Sequence, residues 1–300
     1  MENILLTGFR DLDYLLKGSR ESELIFIGGR PCTGKSTLAL NIAQNVTEHQ
    51  NIPTLFFSLE ASKEQLLARA KEMGWENQNG FIVDDEPEIS IDDLIIKSRA
   101  HKKADKIGLI IIDYLQLLRY EGFETAQLRT SSITQKLKRL AMELSIPIIV
   151  FSQHPKVLRN RDDHRPILQD LRYIGAIEQD LDRVIFLYRD EFYNETTEHK
   201  GITEIIVAKN YRGSVGIIEL AFNPEMCKFT SLNEEVIKFE TTGIQSEKNI
   251  LNSFLTQGYD LMEERLINTS ECRTRNYVFR KEENGIMKTT SAVIEFCIKK

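Results

Sequence analysis

The stretch Gly29-Arg30-Pro31-Cys32-Thr33-Gly34-Lys35-Ser36 decides the fold of this chain. It matches G-x-x-x-x-G-K-[ST], an apolar run at 23–28 precedes it, and a helical pattern at 37–43 follows it. When a strand, a glycine turn and a helix follow in this order, backbone N–H groups and the positive end of the helix dipole surround a phosphate. The stretch therefore predicts a nucleotide-phosphate loop, although the bare motif also occurs by chance in glycine turns.

Each side chain of this loop has an expected role in holding a triphosphate. The ammonium group of Lys35 is expected to contact the β and γ phosphates, and the hydroxyl of Ser36 to ligate Mg²⁺. The other residues supply backbone N–H groups or lie against the phosphates. The predicted cofactor-binding set in this region is Gly29, Arg30, Pro31, Cys32, Thr33, Gly34, Lys35, Ser36 and Thr37.

Composition and charge exclude several classes of protein. The chain has 300 residues, of which 41% are hydrophobic and 28% charged, which is typical of a globular protein and not of a disordered or collagenous one. No apolar run approaches the ~20 residues of a membrane helix, and no signal peptide is visible, so we expect a cytoplasmic protein. The four cysteines form no C-x-x-C pair, which argues against zinc and a disulfide framework.

The net charge of −6 argues against a uniformly basic coat for nucleic acid, but it leaves room for a basic channel. Basic residues crowd the segment 154–165, where only two aspartates oppose them. A solvated loop would explain this segment as well as a nucleic-acid contact does.

Apolar runs alternate with helical patterns along the first two thirds of the chain, which predicts right-handed crossovers and a mainly parallel sheet. An antiparallel hairpin at 202–222 is expected to finish this sheet. The predicted strands are 23–28, 53–59, 81–83, 108–112, 147–151, 184–188, 202–208 and 217–222. The predicted helices are 7–18, 37–49, one from 62, 90–105, one through 133–144, and 167–180.

A domain boundary is expected near Asn233, where the apolar strand rhythm stops and charged residues take over. The predicted domains are therefore 1–232 and 233–300. The second is expected to be a small α+β extension, with a helix at 247–265 and strands at 277–280 and 292–296. No chemistry is assigned to it.

Polar groups follow several of the predicted strands, where ligands of parallel sheets collect. Glu60, Asp113 and Gln153 end three strands, and the phosphate loop ends a fourth. A carboxylate after a strand is often only a helix cap, but all four groups on one rim suit hydrolysis. Glu60 would orient and deprotonate water, Asp113 would support Mg²⁺, and Gln153 would sense the γ phosphate.

Six separated motifs resemble the C-terminal motor domain of DnaB-type replicative helicases, in the same order. They are Thr7-Gly8-Phe9-Arg10-Asp11-Leu12-Asp13, the phosphate loop, Phe57-Ser58-Leu59-Glu60, Ile112-Asp113-Tyr114-Leu115-Gln116, Phe151-Ser152-Gln153 and the segment Asp170-Leu171-Arg172-Tyr173-Ile174-Gly175-Ala176-Ile177-Glu178-Gln179-Asp180. The resemblance covers about residues 5–230. It implies a RecA-like P-loop NTPase core, ATP and Mg²⁺, and a six-membered ring around single-stranded DNA with hydrolysis at subunit interfaces.

Carried over by position, the resemblance makes Lys35 and Ser36 ligands of phosphate and metal, Glu60 the catalytic base and Asp113 the Mg²⁺ partner. It makes Gln153 the residue that couples nucleotide to DNA. The inner loop of the family, which holds the DNA backbone, falls at Arg172 and Gly175. Tyr173-Ile174 replaces the usual Glu-Ser there, which alters the grip on DNA or introduces an apolar wedge. From the basic segment we add two further predicted DNA contacts, Arg159 and Arg161.

The trans-acting arginine finger departs from the family pattern. Relatives read Lys-x-Arg, whereas this chain reads Lys209-Asn210-Tyr211-Arg212, so the arginine lies one place late. Neighbouring strand residues point to opposite faces, so Arg212 can act as the finger only if a bulge or the turn absorbs the shift, and a bulge is expected beside Gly213. Otherwise Tyr211 occupies the position and the chain is a slow ATPase. Lys209 is included among the nucleotide-binding residues.

The leading hypothesis is an ATP-dependent DNA helicase motor that couples ATP hydrolysis to translocation on single-stranded DNA. Relatives carry an N-terminal helical domain and a linker helix ahead of this motor, and without them the hexameric ring is expected to be weak. One alternative is a recombinase- or clock-type regulatory ATPase that assembles without unwinding. Another is a binding module that has lost turnover and serves as a ring partner or loader.

Overall fold

The computed structural model describes residues 4–153, 161, 163–175 and 178–232, and beyond them only the backbone strands of 235–241, 260–268, 272–283 and 286–297. The chain divides into two compact units. The first comprises residues 1–216 and 220–230, and the second comprises residues 217–219 and 231–300. Each unit is described by itself.

The first unit is a mixed sheet with helices. Its helices are α1 (Arg10–Leu16), α2 (Lys35–Gln44), α3 (Lys63–Glu72), α4 (Ile91–Ala104), α5 (Ala126–Leu144) and α6 (Leu171–Ile174). Its strands are β1 (Leu24–Gly29), β2 (Thr54–Ser58), β3 (Phe81–Asp84), β4 (Leu109–Asp113), β5 (Ile148–Gln153), β6 (Arg183–Tyr188), β7 (Ile202–Asn210), β8 (Gly216–Asn223) and β9 (Lys228–Ser231). Residues 217–219 of β8 and the last residue of β9 are assigned to the second unit. A π-helical turn, Asn45–His49, extends α2.

The strands of this unit follow the order β8-β7-β6-β1-β5-β4-β2-β3, with β9 paired to β8. All neighbours from β3 to β6 are parallel, and β7 is antiparallel to β6. The predicted mainly parallel sheet with an antiparallel end is therefore confirmed. Crossover helices explain the parallel part, and the connection 189–201, which returns the chain antiparallel without a crossover helix, explains the change of direction between β6 and β7.

The central strand β4 is buried along its whole length, as its unbroken apolar sequence predicts. Ile110 and Ile112 belong to a core cluster with Leu94 of α4 and Leu137 of α5. Ile111, which points to the opposite face, is equally buried. The sheet is thus covered on both faces around β4, and this leaves only the strand ends to hold polar groups.

The predicted helix at 167–180 is wrong as a continuous element. A 3₁₀ turn, Leu168–Asp170, leads into the short α6, and Gly175 ends it with φ of 75°. A second 3₁₀ turn follows at Glu178–Asp180. The apolar spacing of this segment is helical, but a left-handed residue cannot continue a helix, so the backbone breaks at Gly175.

The first and fifth helices also differ from prediction at their starts. α1 begins at Arg10, and the hydroxyl of Thr7 donates to Asp13 (2.7 Å) instead of capping the helix. α5 begins at Ala126, before the predicted stretch 133–144, because the Thr125 side chain accepts from the Leu128 N–H and caps the helix there.

The second unit contains β10 (Glu235–Thr241), β11 (Asp260–Asn268), β12 (Cys272–Glu283) and β13 (Ile286–Cys297). β11, β12 and β13 are successively antiparallel, and β10 is parallel to β13. The predicted strands at 277–280 and 292–296 lie inside β12 and β13. The predicted helix at 247–265 is wrong for 260–265, which belong to β11 because pairing with β12 overrides local propensity. Residues 247–259 lie outside the described residues.

Among the helices that the structure describes, none combines the length and the apolar character needed to cross a membrane.

Candidate nucleotide site and the opposite rim

The phosphate loop connects β1 to α2 in a conformation that only its glycines allow. Gly34 has φ of 94°, and a Cβ there would lie 2.6 Å from the Phe229 ring. A Cβ at Gly29 would lie 2.7 Å from the hydroxyl oxygen of Thr33. That hydroxyl donates to the Arg30 carbonyl (2.8 Å) and closes the loop on itself. The sequence therefore folds here into a tight turn that delivers Lys35 and Ser36 to the start of α2.

Lys35 is 7% exposed, and its Nζ donates to the Arg30 carbonyl oxygen at 2.7 Å. Burial lowers the pKa of this ammonium group to about 8, and the nearby charges of Asp113, Glu60 and Cys32 partly oppose this decrease. A cation that has lost much of its hydration is stabilised by any phosphate that enters.

Asp113, at the end of β4, is 5% exposed. Burial raises the pKa of this carboxyl group, and a hydrogen bond from Ser36 opposes the increase. Its second oxygen, Oδ1, has no hydrogen-bond partner among the described residues. A buried carboxylate oxygen beside a hydroxyl suits Mg²⁺, which takes one or two protein oxygens together with phosphate oxygens and water. The described part of the chain contains no group of three or more His, Cys, Asp or Glu side chains that could hold a metal alone.

Glu60 lies just beyond β2 and is exposed. The register pairs Ser58 with Asp113, and the Leu59 N–H donates to the Asp113 carbonyl oxygen (2.9 Å), so the ends of β2 and β4 meet. Glu60 is close enough to act electrostatically on Lys35 and Asp113. The structure thus brings together the predicted base, the predicted metal partner and the phosphate-loop lysine.

Gln153 lies opposite Gly29 in the pairing of β5 with β1. Its backbone is fixed by Gln116, a residue to which sequence reasoning assigns no role. The Gln116 amide donates to the Ser152 hydroxyl (2.8 Å) and to the Gln153 carbonyl (3.2 Å), and its oxygen accepts from the Gln153 N–H (3.2 Å). Gln116 therefore locks the end of β5 to the segment after β4. Its position three residues after Asp113 is the only sequence signal for this role.

Aromatic side chains from distant segments also support the phosphate loop, and sequence reasoning misses them. Phe222 and Phe229 pack on each other with ring centroids 4.9 Å apart and approach Gly34. The guanidinium of Arg189 lies 4.5 Å from the centre of the Phe222 ring. These residues follow the loop by more than 150 positions in the sequence, so no local pattern indicates the contact.

The predicted DNA contacts lie on or near α6. Arg172 and Tyr173 are exposed there, with Tyr173 54% exposed, whereas Ile174 is buried and cannot form part of an apolar wedge. A Cβ at Gly175 would lie 2.4 Å from the backbone of Gln127, so this glycine allows the close approach of α5. Arg161 donates to buried Asp170 (2.8 Å), which anchors the segment before α6. Arg159 lies outside the described residues.

Lys209 and Arg212 lie at the opposite rim of the sheet. β7 is antiparallel to β6 and pairs Asn210 with Arg183, at the amino end of β6. β1 has six residues, so it separates this rim from the phosphate loop by about 20 Å. Lys209 Nζ donates to the carbonyl oxygens of Glu178 and Leu181, each at 2.7 Å.

The turn that carries Tyr211 and Arg212 is anchored on α1. The Asn210 amide donates to the Leu15 carbonyl oxygen (2.8 Å), and so does the Ser214 N–H (3.3 Å). Tyr211 is 76% exposed; Arg212 is also exposed, and within the described part of the chain its guanidinium has no hydrogen bond or ion pair.

The predicted bulge beside Gly213 is wrong. The register shift lies at Ala208, the extra residue of β7 between the partners of Val184 and Ile185. The bulge precedes Lys209, so it changes the face of the sheet to which Lys209 and the residues after it point.

The family described as "DnaB-like helicase C terminal domain" matches residues 5–74 and 70–231. The replicative DNA helicase DnaB of Geobacillus stearothermophilus is 40% identical over 254 residues, which are 75% of this chain and 56% of that protein. The replicative DNA helicase DnaC of Bacillus subtilis (strain 168) is 37% identical over 266 residues, 79% of this chain and 58% of that protein. The chain thus spans little more than half the length of these relatives.

Solved structures agree with these matches. A structure described as an ATPase domain is 30% identical, with a TM-score of 0.69 and coverage of 76% of this chain and 91% of that one. A DnaB-like replicative helicase, solved to examine its interactions with primase, is 30% identical, with a TM-score of 0.72 and coverage of 76% and 63%. A KaiC-like protein of Pyrococcus horikoshii OT3 is 17% identical with a TM-score of 0.59, and this similarity concerns the fold alone. The resemblance drawn from the six motifs is therefore confirmed, and the chain belongs to the family of DnaB-like helicase C-terminal domains.

Proposed function

We propose that this chain is the motor of a DnaB-type replicative DNA helicase, which couples ATP hydrolysis to translocation on single-stranded DNA in the cytoplasm. The observation that carries the proposal is the carboxyl rim of the parallel sheet. There a phosphate loop with a desolvated lysine lies within electrostatic range of a buried aspartate and an exposed glutamate. Membership of the family supports the extension from ATP hydrolysis to DNA.

The roles of the chain's own residues follow from this geometry. Lys35 exchanges the Arg30 carbonyl for the β and γ phosphates. Ser36 and Asp113 would hold Mg²⁺, which when bound neutralises charge on the phosphates. Glu60, exposed beside them, orients water and accepts its proton. Gln153, held in place by Gln116, is near enough to the loop to respond to the γ phosphate.

Completion of the site requires a second copy of the chain. Arg212 lies at the rim opposite its own phosphate loop, so it can reach a γ phosphate only on a neighbouring subunit. Its exposure and lack of a partner within the described part of the chain favour Arg212 over Tyr211 as the finger. A ring of identical subunits, six by analogy with the family resemblance, repeats this contact. Arg172, Tyr173 and Gly175 would then face the single-stranded DNA.

The experiment is a measurement of ATP hydrolysis with and without a single-stranded oligothymidylate, combined with light scattering to give the size of the assembly. We expect DNA to raise the rate and ATP to favour the larger species. Lys35→Ala serves as the background control, because it removes the phosphate-binding ammonium group. Hydrolysis that ignores DNA would contradict a helicase motor, and absence of hydrolysis in every assembly would favour a ring partner without turnover. An unwinding assay on a forked duplex distinguishes the two classes, because a helicase motor should unwind the duplex and a regulatory ATPase should not.

A further inference from the structure

Arg30, inside the phosphate loop, makes two different contacts. Its carbonyl oxygen accepts the hydrogen bond from Lys35 Nζ (2.7 Å), and its guanidinium lies 4.8 Å from the centre of the Tyr193 ring. Tyr193 follows the 3₁₀ turn Asp190–Phe192 in the connection between β6 and β7. A guanidinium over an aromatic face is attracted by the ring quadrupole. Tyr193 therefore contacts Arg30, and the carbonyl oxygen of Arg30 accepts the hydrogen bond from Lys35.

Tyr193 is also the centre of an aromatic stack. Its ring stacks on His164 with centroids 4.4 Å apart and on Tyr188 with centroids 5.5 Å apart. Arg165 lies over the Tyr188 ring at 4.9 Å and binds both carboxylate oxygens of Glu204, at 2.6 and 2.7 Å. We call Arg30, Tyr193, His164, Tyr188 and Arg165 the Tyr193 stack.

The far end of the Tyr193 stack joins the segment that leads to α6. His164 and Arg165 lie in the same short segment as Arg161, whose guanidinium donates to buried Asp170 and to the Arg165 carbonyl oxygen (3.1 Å). Asp170 also accepts from the Ile167 N–H (2.8 Å) and immediately precedes α6. Contiguous side-chain contacts thus run from the phosphate loop to the residues expected to hold DNA.

We propose that Tyr193 is a positioning residue that couples the phosphate loop to the α6 segment, an inference that rests on the proposed function. The contact between Lys35 and the Arg30 carbonyl oxygen is expected to change during the nucleotide cycle. Without nucleotide this oxygen accepts from Lys35, and with nucleotide Lys35 must turn to the phosphates. Because Arg30 is stacked on Tyr193, a change in its backbone is transmitted to His164 and Arg165. Coupling of this kind is reciprocal, so DNA must also alter nucleotide affinity.

The test measures coupling as the ratio of oligothymidylate dissociation constants without and with a non-hydrolysable ATP analogue. A wild-type ratio in the range ~5–150 is typical of coupled sites, and Tyr193→Ala should bring it to within about twofold of one. Tyr193→Phe keeps the ring and should retain the wild-type ratio. Phe123→Ala, an aromatic truncation outside the Tyr193 stack, should also retain it. His164→Ala repeats the test if Tyr193→Ala does not fold.

The outcomes separate the inference from the function on which it rests. One outcome is that nucleotide binding and DNA binding are coupled to the same extent in the wild type, in Tyr193→Ala and in His164→Ala. That result overturns the inference and leaves the proposed helicase motor intact. If the wild type hydrolyses ATP but neither binds nor responds to DNA, the proposed function fails and the inference fails with it. If Tyr193→Ala loses DNA binding even without nucleotide, Tyr193 contacts DNA and is not a positioning residue. Loss of coupling with intact DNA and nucleotide binding supports the proposal.

Discussion

The charged side chains at the two rims of the parallel sheet have different kinds of partner. At the carboxyl rim, Lys35 donates to a backbone carbonyl, and Asp113 has an oxygen without a hydrogen-bond partner among the described residues. At the amino rim, Arg183 and Asp182 each form an ion pair, although Nε and Nη1 of Arg183 have no hydrogen-bond partner among the described residues. Buried Arg183 donates to Glu23 (3.1 Å), and Asp182 accepts from Lys138 Nζ (2.7 Å) and the Leu24 N–H (2.7 Å).

We interpret this difference as one between a rim that receives a ligand and a rim that stabilises the fold. An opposite charge offsets the cost of burying a charge, so Lys35 and Asp113, which contact a backbone carbonyl and a hydroxyl instead, mark the place where we propose that phosphate and metal enter. Arg212 is the exception at the amino rim, since it is exposed and unpaired within the described part of the chain. The exception is explained if its partner belongs to another copy.

The largest expected effect comes from removing Arg212, the cation at the amino rim that is unpaired among the described residues. Arg212→Ala should lower turnover by about 10³-fold or more at protein concentrations where copies associate, because a finger stabilises transition-state charge. ATP affinity should stay nearly unchanged. Tyr211→Ala, at the neighbouring exposed position, is the matched control and should retain turnover.

Mixing two inactive variants tests whether this finger acts between copies. Lys35→Ala keeps Arg212, and Arg212→Ala keeps Lys35, so mixed assemblies contain interfaces with both groups and should regain activity. No recovery would indicate a finger within one chain or none. Turnover that is insensitive to Arg212→Ala but raised by Tyr211→Arg would show that the finger has been lost.

At the carboxyl rim, Glu60→Gln should lower turnover by about 10²–10⁴-fold, the contribution of a general base. Binding of a fluorescent ATP analogue should persist, since the amide keeps the shape of the side chain and Lys35 is intact. Glu64→Gln, an exposed glutamate in the first turn of α3, is the control. Wild-type hydrolysis by Glu60→Gln would remove Glu60 from the mechanism.

Arg183→Met should act on stability and not on catalysis. Removing one partner of a buried pair leaves Glu23 without compensation and should lower the free energy of unfolding by about 3–5 kcal/mol. Arg99→Met breaks an exposed pair with Glu143 and should leave the free energy of unfolding nearly unchanged. Denaturant unfolding measures both. Equal losses in the two variants would contradict the distinction between buried and exposed pairs.

The smallest expected difference is between two left-handed glycines, one of which, Gly175, allows α5 to approach the end of α6. Gly122→Ala should cost about 1–2 kcal/mol for a left-handed residue in open space, where no atom lies within 4 Å of the added Cβ. Gly175→Ala should cost about 1–3 kcal/mol more, because its Cβ would meet the Gln127 backbone. Thermal unfolding of the two variants gives the comparison. A similar loss in both would show that α5 can move away from Gly175.

Sequence alone determined the features that are written in contiguous residues. The glycines of the phosphate loop are required by the local backbone, and the apolar run of β4 predicts a strand that is covered on both faces. Because parallel strands end at one rim, the positions of Glu60, Asp113 and Gln153 followed from the order of strands and helices. The six motifs identified the family for the same reason, since each is a short local requirement.

The contacts between distant residues depend on the tertiary structure. The break at Gly175 depends on the approach of α5, the bulge at Ala208 on pairing with β6, and the stack on Arg30 on the path of the connection after β6. Periodicity in sequence fixes the type of an element, but it does not fix the register of a strand or the side chains that reach it from elsewhere. Packing between remote segments settles these contacts, and for that reason the sequence around Tyr193 gave no indication of its contact with Arg30.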